Sequence, residues 1–224
     1  MLLSAFRRQP EPAAAAAWFS STAGQAVLSS EALAVRQASL ERPGQGALWL
    51  APGVPGRVAG EALEVPGLRL HTAAGRGFDG SLRCGLPFPL ASESCGLVIV
   101  QHVADISAEP EALLEECARV LLPGARLWLL ALNPLAPYRL RWRGAGPRAA
   151  EPVTWRRRLR AVGLVPDSVS QGIGPIWSID AFPGLQDGAG LRAAFLLRAE
   201  KRRMPLTPLR ARSAVRWQPG IPAA

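Results

Sequence analysis

Apolar residues recur at helical spacing from Ala13 to about Leu40, with Val27, Leu28, Ala32 and Val35 as examples, and Pro43-Gly44 closes the segment. The pattern then changes to short continuous runs. Ala47–Ala51 reads as a buried strand ending in the turn Pro52–Gly56. Leu68–Leu70 and, more weakly, Ser81–Gly85 are further strand candidates, and the β-branched run Gly96–Gln101 predicts a central strand. Helical spacing returns over Pro110–Leu122, where Leu113, Leu114, Cys117, Ala118 and Leu121 share a face. Acidic residues crowd the start of that helix, where its dipole favours them, and Pro123-Gly124 ends it. Arg126–Leu132 is a second buried strand, Val153–Val162 a basic helix, and Leu164–Val169 and Leu191–Ala199 the last strand candidates. Strands alternating with helices predict an α/β, Rossmann-like, mostly parallel sheet with helices on both faces. Ligands bind such sheets at the carboxyl ends of the strands, near the point where strand order reverses.

A length of 224 residues suits one such domain with terminal extensions. The domain is expected over residues 13–200. A disordered N-terminus covers 1–12, and a basic Pro/Arg-rich extended tail covers 201–224. No apolar run is long enough to span a membrane, and the first residues do not read as a signal peptide, which together place the protein in the cytoplasm. Cys84, Cys95 and Cys117 have no metal-like spacing and suggest reduced thiols; with His71 and His102 the only histidines, a zinc site is not expected.

The net charge is +9. Arginines gather at 139–148, at 156–160 and from Arg198 through Arg216. That balance suits an anionic partner such as RNA, anionic lipid or a phosphorylated substrate, reached through the Arg-rich C-terminal part. Lys201 is the only lysine, so a general preference for Arg explains the clusters equally well.

Three segments carry a resemblance. Leu86-Pro87-Phe88-Pro89-Leu90-Ala91-Ser92 resembles an "LPF-p-d-x-S" stretch, Val100-Gln101-His102-Val103-Ala104-Asp105 an "xLEHVxD" segment, and Arg119–Leu127 an "RVL-x-PGG-x-L" motif. In this order and spacing they resemble the small-molecule class I S-adenosylmethionine-dependent methyltransferases, over roughly residues 46–135. Trp18-Phe19 with Gly24-Gln25 and Glu31, Asn133-Pro134, and Met204–Pro208 are similar to features of one bacterial subgroup. The resemblance implies the class I methyltransferase fold and S-adenosylmethionine as cofactor. It implies that glycines after the first strand let the backbone approach the methionine part. An acid at the end of the next strand would take the ribose hydroxyls, and another the adenine amine. This chain departs at those places: Trp49 replaces an acid, Ala51 a glycine, and Leu82 the adenine-contacting acid, while His71 lies near the ribose position. Cys95 and Gly96 replace the usual aromatic and Asp.

The candidate cofactor-binding residues are therefore Ala51, Gly53, Gly56, His71, Leu86, Pro87 and Gln101. His102 is the candidate catalytic residue, as a base, against the plainer role of a buried histidine bonded to a carbonyl. Asn133, Tyr138 and Trp142 are candidates for the acceptor's mouth, or else a turn and core packing. No Ser-His-Asp order or P-loop is present, but methyl transfer from a sulfonium needs mainly proximity and orientation. The expected function is methyl transfer from S-adenosylmethionine to a small molecule. The alternative is an inactive pseudo-methyltransferase acting as a binding or scaffold module.

Overall fold

The structure, a computed structural model, describes residues 12–42, 44–53, 66–73 and 77–202. Gly56 and the basic tail from Arg203 onward lie outside the described residues, as do residues 1–11 of the N-terminus expected to be disordered over 1–12; its last residue, Pro12, instead opens α1.

The expected first helix is two. α1 (Pro12–Ala17) passes through a 3-10 turn at Trp18–Ser20 into α2 (Thr22–Leu40). The break has a local cause. The Ser21 side chain caps α2 by accepting from the Gly24 N–H at 3.1 Å, and the Ser21 backbone N–H donates to the Trp18 carbonyl. The chain folds back so tightly that a Cβ at Gly24 would lie 2.5 Å from both the Phe19 Cα and the Trp18 carbonyl oxygen.

β1 (Ala47–Ala51) and β4 (Cys95–Gln101) are buried along their whole length, which is why both read as unbroken apolar runs. They pair in parallel, flanked by β2 (Gly67–Thr72) on one side and β5 (Leu121–Leu132) on the other, both also parallel. β3 (Phe78–Gly80) returns antiparallel to β2 as a hairpin, immediately before the weak candidate Ser81–Gly85, of which only Cys84 bridges back to Phe78. β9 (Ala194–Glu200) is antiparallel to β5, and the short strands β6 (Val165–Pro166) and β7 (Gln171–Ile173) pair with β9. β8 (Gln186–Asp187) closes the edge, giving the order β3-β2-β1-β4-β5-β9-β7-β8. The mostly parallel sheet expected from the sequence is thus present, with an antiparallel far side.

Helices cover both faces. α1, the 3-10 turn and α2 pack on Trp49, Leu97, Ile99, Trp128 and Leu130. α4 (Pro110–Val120) and α5 (Pro152–Ala161) lie among the residues that bury Leu48, Leu50, Val98, Val100 and Leu129. The alternation of inward side chains along each strand divides these two cores. Lys201, just past β9, ties off α4: its Nζ donates to the Ala118 and Leu121 carbonyls at 2.9 and 2.8 Å.

Because the atoms facing Gly24 are backbone, they cannot swing aside. Gly24→Ala is expected to destabilise the fold by about 1–3 kcal/mol, read as a lower midpoint in denaturant unfolding; an unchanged midpoint would show that the turn has slack.

Candidate functional site

Two features meet at the carboxyl edge of the parallel strands: a buried polar cluster and a cavity.

The cluster begins with Trp49 of β1. Its register partner on β4 is Ile99, and Gln101 lies on the same face two residues on, so the indole reaches it: Trp49 Nε1 donates to Gln101 Oε1 at 3.1 Å. Gln101 Nε2 donates to Glu31 Oε2 of α2 at 2.8 Å. The second oxygen, Glu31 Oε1, is 2.8 Å from His102 Nε2, and His102 Nδ1 is 3.0 Å from Asp105 Oδ2. Asp105 Oδ2 also accepts the Leu132 N–H at 2.8 Å from the end of β5. Phe19 stacks on the His102 ring at 4.8 Å. Glu31, His102 and Asp105 are completely buried.

His102 itself takes a left-handed backbone, φ 55°, at the junction of β4 and the one-turn helix α3 (Val103–Ile106). That conformation turns the ring between two carboxylates. Burial pulls the His102 pKa down, but the Glu31 charge and the hydrogen bonds to Asp105 and Glu31 outweigh it and raise the pKa to about 9. Burial pushes the Asp105 carboxyl above its ordinary range, against the opposing pull of His102. Asp105 Oδ1 has no partner among the described residues, which accords with that direction.

The cavity, about 470 Å³, lies beyond α3. Thr72, Ala73, Gly77 and Phe78 wall it from the β2–β3 hairpin, Cys84 to Leu86 from the segment that follows, and Val103 with Ile106 to Glu109 from α3 and its exit. α3 therefore serves both features: Asp105 in the cluster, Val103 and Ile106 in the cavity wall. Glu109 is the one carboxylate among the described lining residues.

The sequence candidates divide accordingly. Leu86 lines the cavity, with Pro87 beside it through a cis peptide. Ala51 is buried at the end of β1. Gly53 sits against β2: a Cβ there would be 2.1 Å from the Thr72 carbonyl oxygen, and its N–H donates to Thr72 Oγ1 at 2.8 Å. His71 is partly buried in the β2–β3 hairpin, opposite Asp79. Gln101 and His102 belong to the cluster, and neither is among the residues that line the cavity. Asn133 is buried and holds the 189–192 loop, donating to the Gly190 and Arg192 carbonyls at 3.0 Å. Tyr138 is buried and donates to the Ala23 carbonyl, and Trp142 packs edge-on to Trp18 at 5.7 Å. Sequence reasoning did not select Glu31 or Asp105 as site residues, although Glu31 stands in the entry-helix resemblance and Asp105 in the segment after β4. Thr72, Phe78 and the 106–109 stretch were not singled out, since nothing in their spacing marks a pocket wall. Of the basic clusters, Arg158 pairs with Glu111 at 2.9 Å and Arg198 with Asp167 at 3.6 Å. Among the described residues no group of three or more His, Cys, Asp or Glu is arranged to hold a metal ion, and no helix is long and apolar enough to cross a membrane.

Breaking a buried charge pair strands the remaining partner. Glu31→Ala is expected to cost about 3–5 kcal/mol of unfolding free energy. The pH dependence follows from the raised pKa of His102. Its stabilisation is full below its ordinary value of 6.5 and is lost as pH rises through about 9. Denaturant midpoints measured across that range should fall in the parent chain and fall less in His102→Gln; equal slopes would show that the imidazole is not held charged.

A family model described as "Methyltransferase domain" matches residues 72–129. No curated protein sequence matches the chain. Among solved structures, a SAM-dependent methyltransferase from Thermotoga maritima superposes with a TM-score of 0.53 at 16% identity, covering 83% of this chain and 93% of that one. A SAM-dependent methyltransferase from Archaeoglobus fulgidus gives 0.50 at 13% identity, with 76% and 92% covered. The [4+2]-cyclase SpnF gives 0.50 at 14% identity, with 78% and 80% covered. At these identities the likeness speaks for architecture, and one fold hosts many chemistries. The resemblance carried by the three sequence segments holds: residues 72–129 match the methyltransferase-domain model, and the chain is built on the class I methyltransferase fold.

Proposed function

We propose that the chain binds S-adenosylmethionine in the cavity at the carboxyl edge of the sheet and transfers its methyl group to a small-molecule acceptor. The observation that carries this reading is where the cavity lies. Its walls are the segments that follow β2 and β4, so it straddles the end of β1, where strand order reverses. Its volume of about 470 Å³ is that of a small-molecule site.

The lining suits an adenosyl group. Phe78, Leu86, Val103, Ile106 and Ala108 would hold the flat base, and Ser107 and Glu109 stand at the polar side. β2 ends in Thr72 rather than an acid, so Glu109, on the opposite wall, is assigned the ribose hydroxyls. When bound, the cofactor supplies a methyl group already activated on a sulfonium. The chain's own share is then alignment and exclusion of water. In this reading His102 is a positioning residue. Through Asp105 it holds α3, and α3 holds Val103 and Ile106 against the ligand. Asn133 and Tyr138 likewise shape the loops through which an acceptor enters. The chain is expected to act in the cytoplasm.

A second reading, a binding module without turnover, is favoured by the turn after β1. There the Gly53 N–H is already donated to Thr72 Oγ1. Calorimetric titration with S-adenosylhomocysteine tests both. Saturable heat is expected, weakened about ten- to a hundredfold by Glu109→Gln. No heat at millimolar ligand overturns cofactor binding. Binding of S-adenosylmethionine with no S-adenosylhomocysteine formed across a panel of acceptors supports the second reading over the first.

A further inference from the structure

The edge of the sheet where β5 ends carries an exposed apolar surface outside the buried anchors Asn133 and Tyr138. β5 and β7 end at the edge where β9 begins, because Leu132 and Ile173 are both in register with Ala194. The loops 133–150 and 174–193 therefore emerge side by side. They are also bonded to one another: the Arg141 guanidinium donates to the Trp177 carbonyl at 2.8 Å, and Asn133 holds the carbonyls of 190 and 192 at 3.0 Å.

Of the eleven large hydrophobic residues left exposed among the described residues, seven lie in these two loops: Leu135, Leu140, Trp177, Ile179, Phe182, Leu185 and Leu191. Leu135, Leu140 and Trp177 are more than 60% exposed. Buried polar anchors hold the loops, so this exposure is built in. Phe182 N–H donates to Ser30 Oγ of α2 at 2.8 Å, Arg192 lies over the Phe182 ring at 3.9 Å, and Tyr138 and Trp142 root the 133–150 loop in the core. The same two loops carry Arg139, Arg141, Arg143, Arg148 and Arg192, against Asp180 and Asp187.

We propose that this edge docks on an anionic lipid surface. A clustered apolar patch on a folded chain marks an interaction site. Here its chemistry selects the partner. Five of the seven are leucine or isoleucine, which offer nothing for a nucleobase to stack on but enter an acyl boundary readily. Tryptophan favours the headgroup level, and arginine can bury its stem while its guanidinium meets lipid phosphate. Attraction of such a patch to anionic lipid adds to apolar insertion, and neither needs a spanning helix. This inference stands apart from the methyl-transfer reading and from the basic tail beyond Arg202.

The test is co-sedimentation of the full chain with vesicles of phosphatidylglycerol and phosphatidylcholine, and with phosphatidylcholine alone. Binding is expected to the anionic vesicles and to weaken with salt. The double variants Leu140→Ser/Trp177→Ser and, independently, Leu135→Ser/Leu191→Ser should each lower it about tenfold or more. All four residues are exposed, so the parent's thermal midpoint should be kept. Arg139→Gln/Arg143→Gln should flatten the salt dependence. Vesicle binding that both apolar variants leave intact overturns the proposal and points to the tail. So does a concentration-dependent dimer, or binding of a mixed-sequence RNA, that the apolar variants abolish while vesicle binding is absent.

Discussion

The Glu31–His102–Asp105 arrangement is the constraint on which the site end of the molecule depends. It joins a helix that covers the sheet to the ends of two central strands. Each partner is unaffordable alone in a dry core, since an isolated buried charge costs several kcal/mol. Together they share the charge and use nearly every polar atom. Gln101 and Trp49 extend the arrangement to β1, and the Leu132 N–H extends it to β5. The result is directional where hydrophobic packing is not. Apolar burial would keep α2 on the sheet, whereas this set of bonds, with those from Tyr138 to the Ala23 carbonyl and from the Phe182 N–H to Ser30, dictates its rotation and depth.

The N-terminal features gain meaning from that centre. Ser21 and Gly24 force the chain to double back, Gln25 Nε2 donates to the Phe19 carbonyl at 2.6 Å, and Phe19 is thereby placed flat against His102. The residues from Trp18 to Glu31 are thus one device, a clamp on a single imidazole. Trp49 belongs to the same device. An acid at that position would add another negative charge beside Glu31, so the indole, a donor only, suits this core better.

Much of the architecture is legible in the sequence because burial leaves a mark there. β1, β4 and β5 lie wholly or mainly inside and read as apolar runs. The Pro123-Gly124 pair, expected to end the helix, instead lies inside β5, because α4 already stops at Val120 and the strand begins at Leu121. β7 and β8 leave no such mark. They are two or three residues long, pairing Gln171 with Asp187 and Gly172 with Gln186, and carry no apolar alternation. The β2–β3 hairpin displaces the weak strand candidate because Phe78, an isolated aromatic, anchors it by packing on Phe88 at 5.5 Å. The site is harder to read. Local pattern places His102 at the end of a strand, yet its meaning rests on Glu31, 71 positions earlier, and periodicity carries no information over such a span. The cavity is assembled from three separate segments, and its apolar lining looks like ordinary core in any one of them.

The bond between Gly53 and Thr72 has a mechanical consequence. It fastens the exits of two neighbouring strands to one another, so that neither can part without the other. The α3 wall opposite is held in turn through Asp105, which accepts the Leu132 N–H at 2.8 Å and lies 3.0 Å from His102 Nδ1.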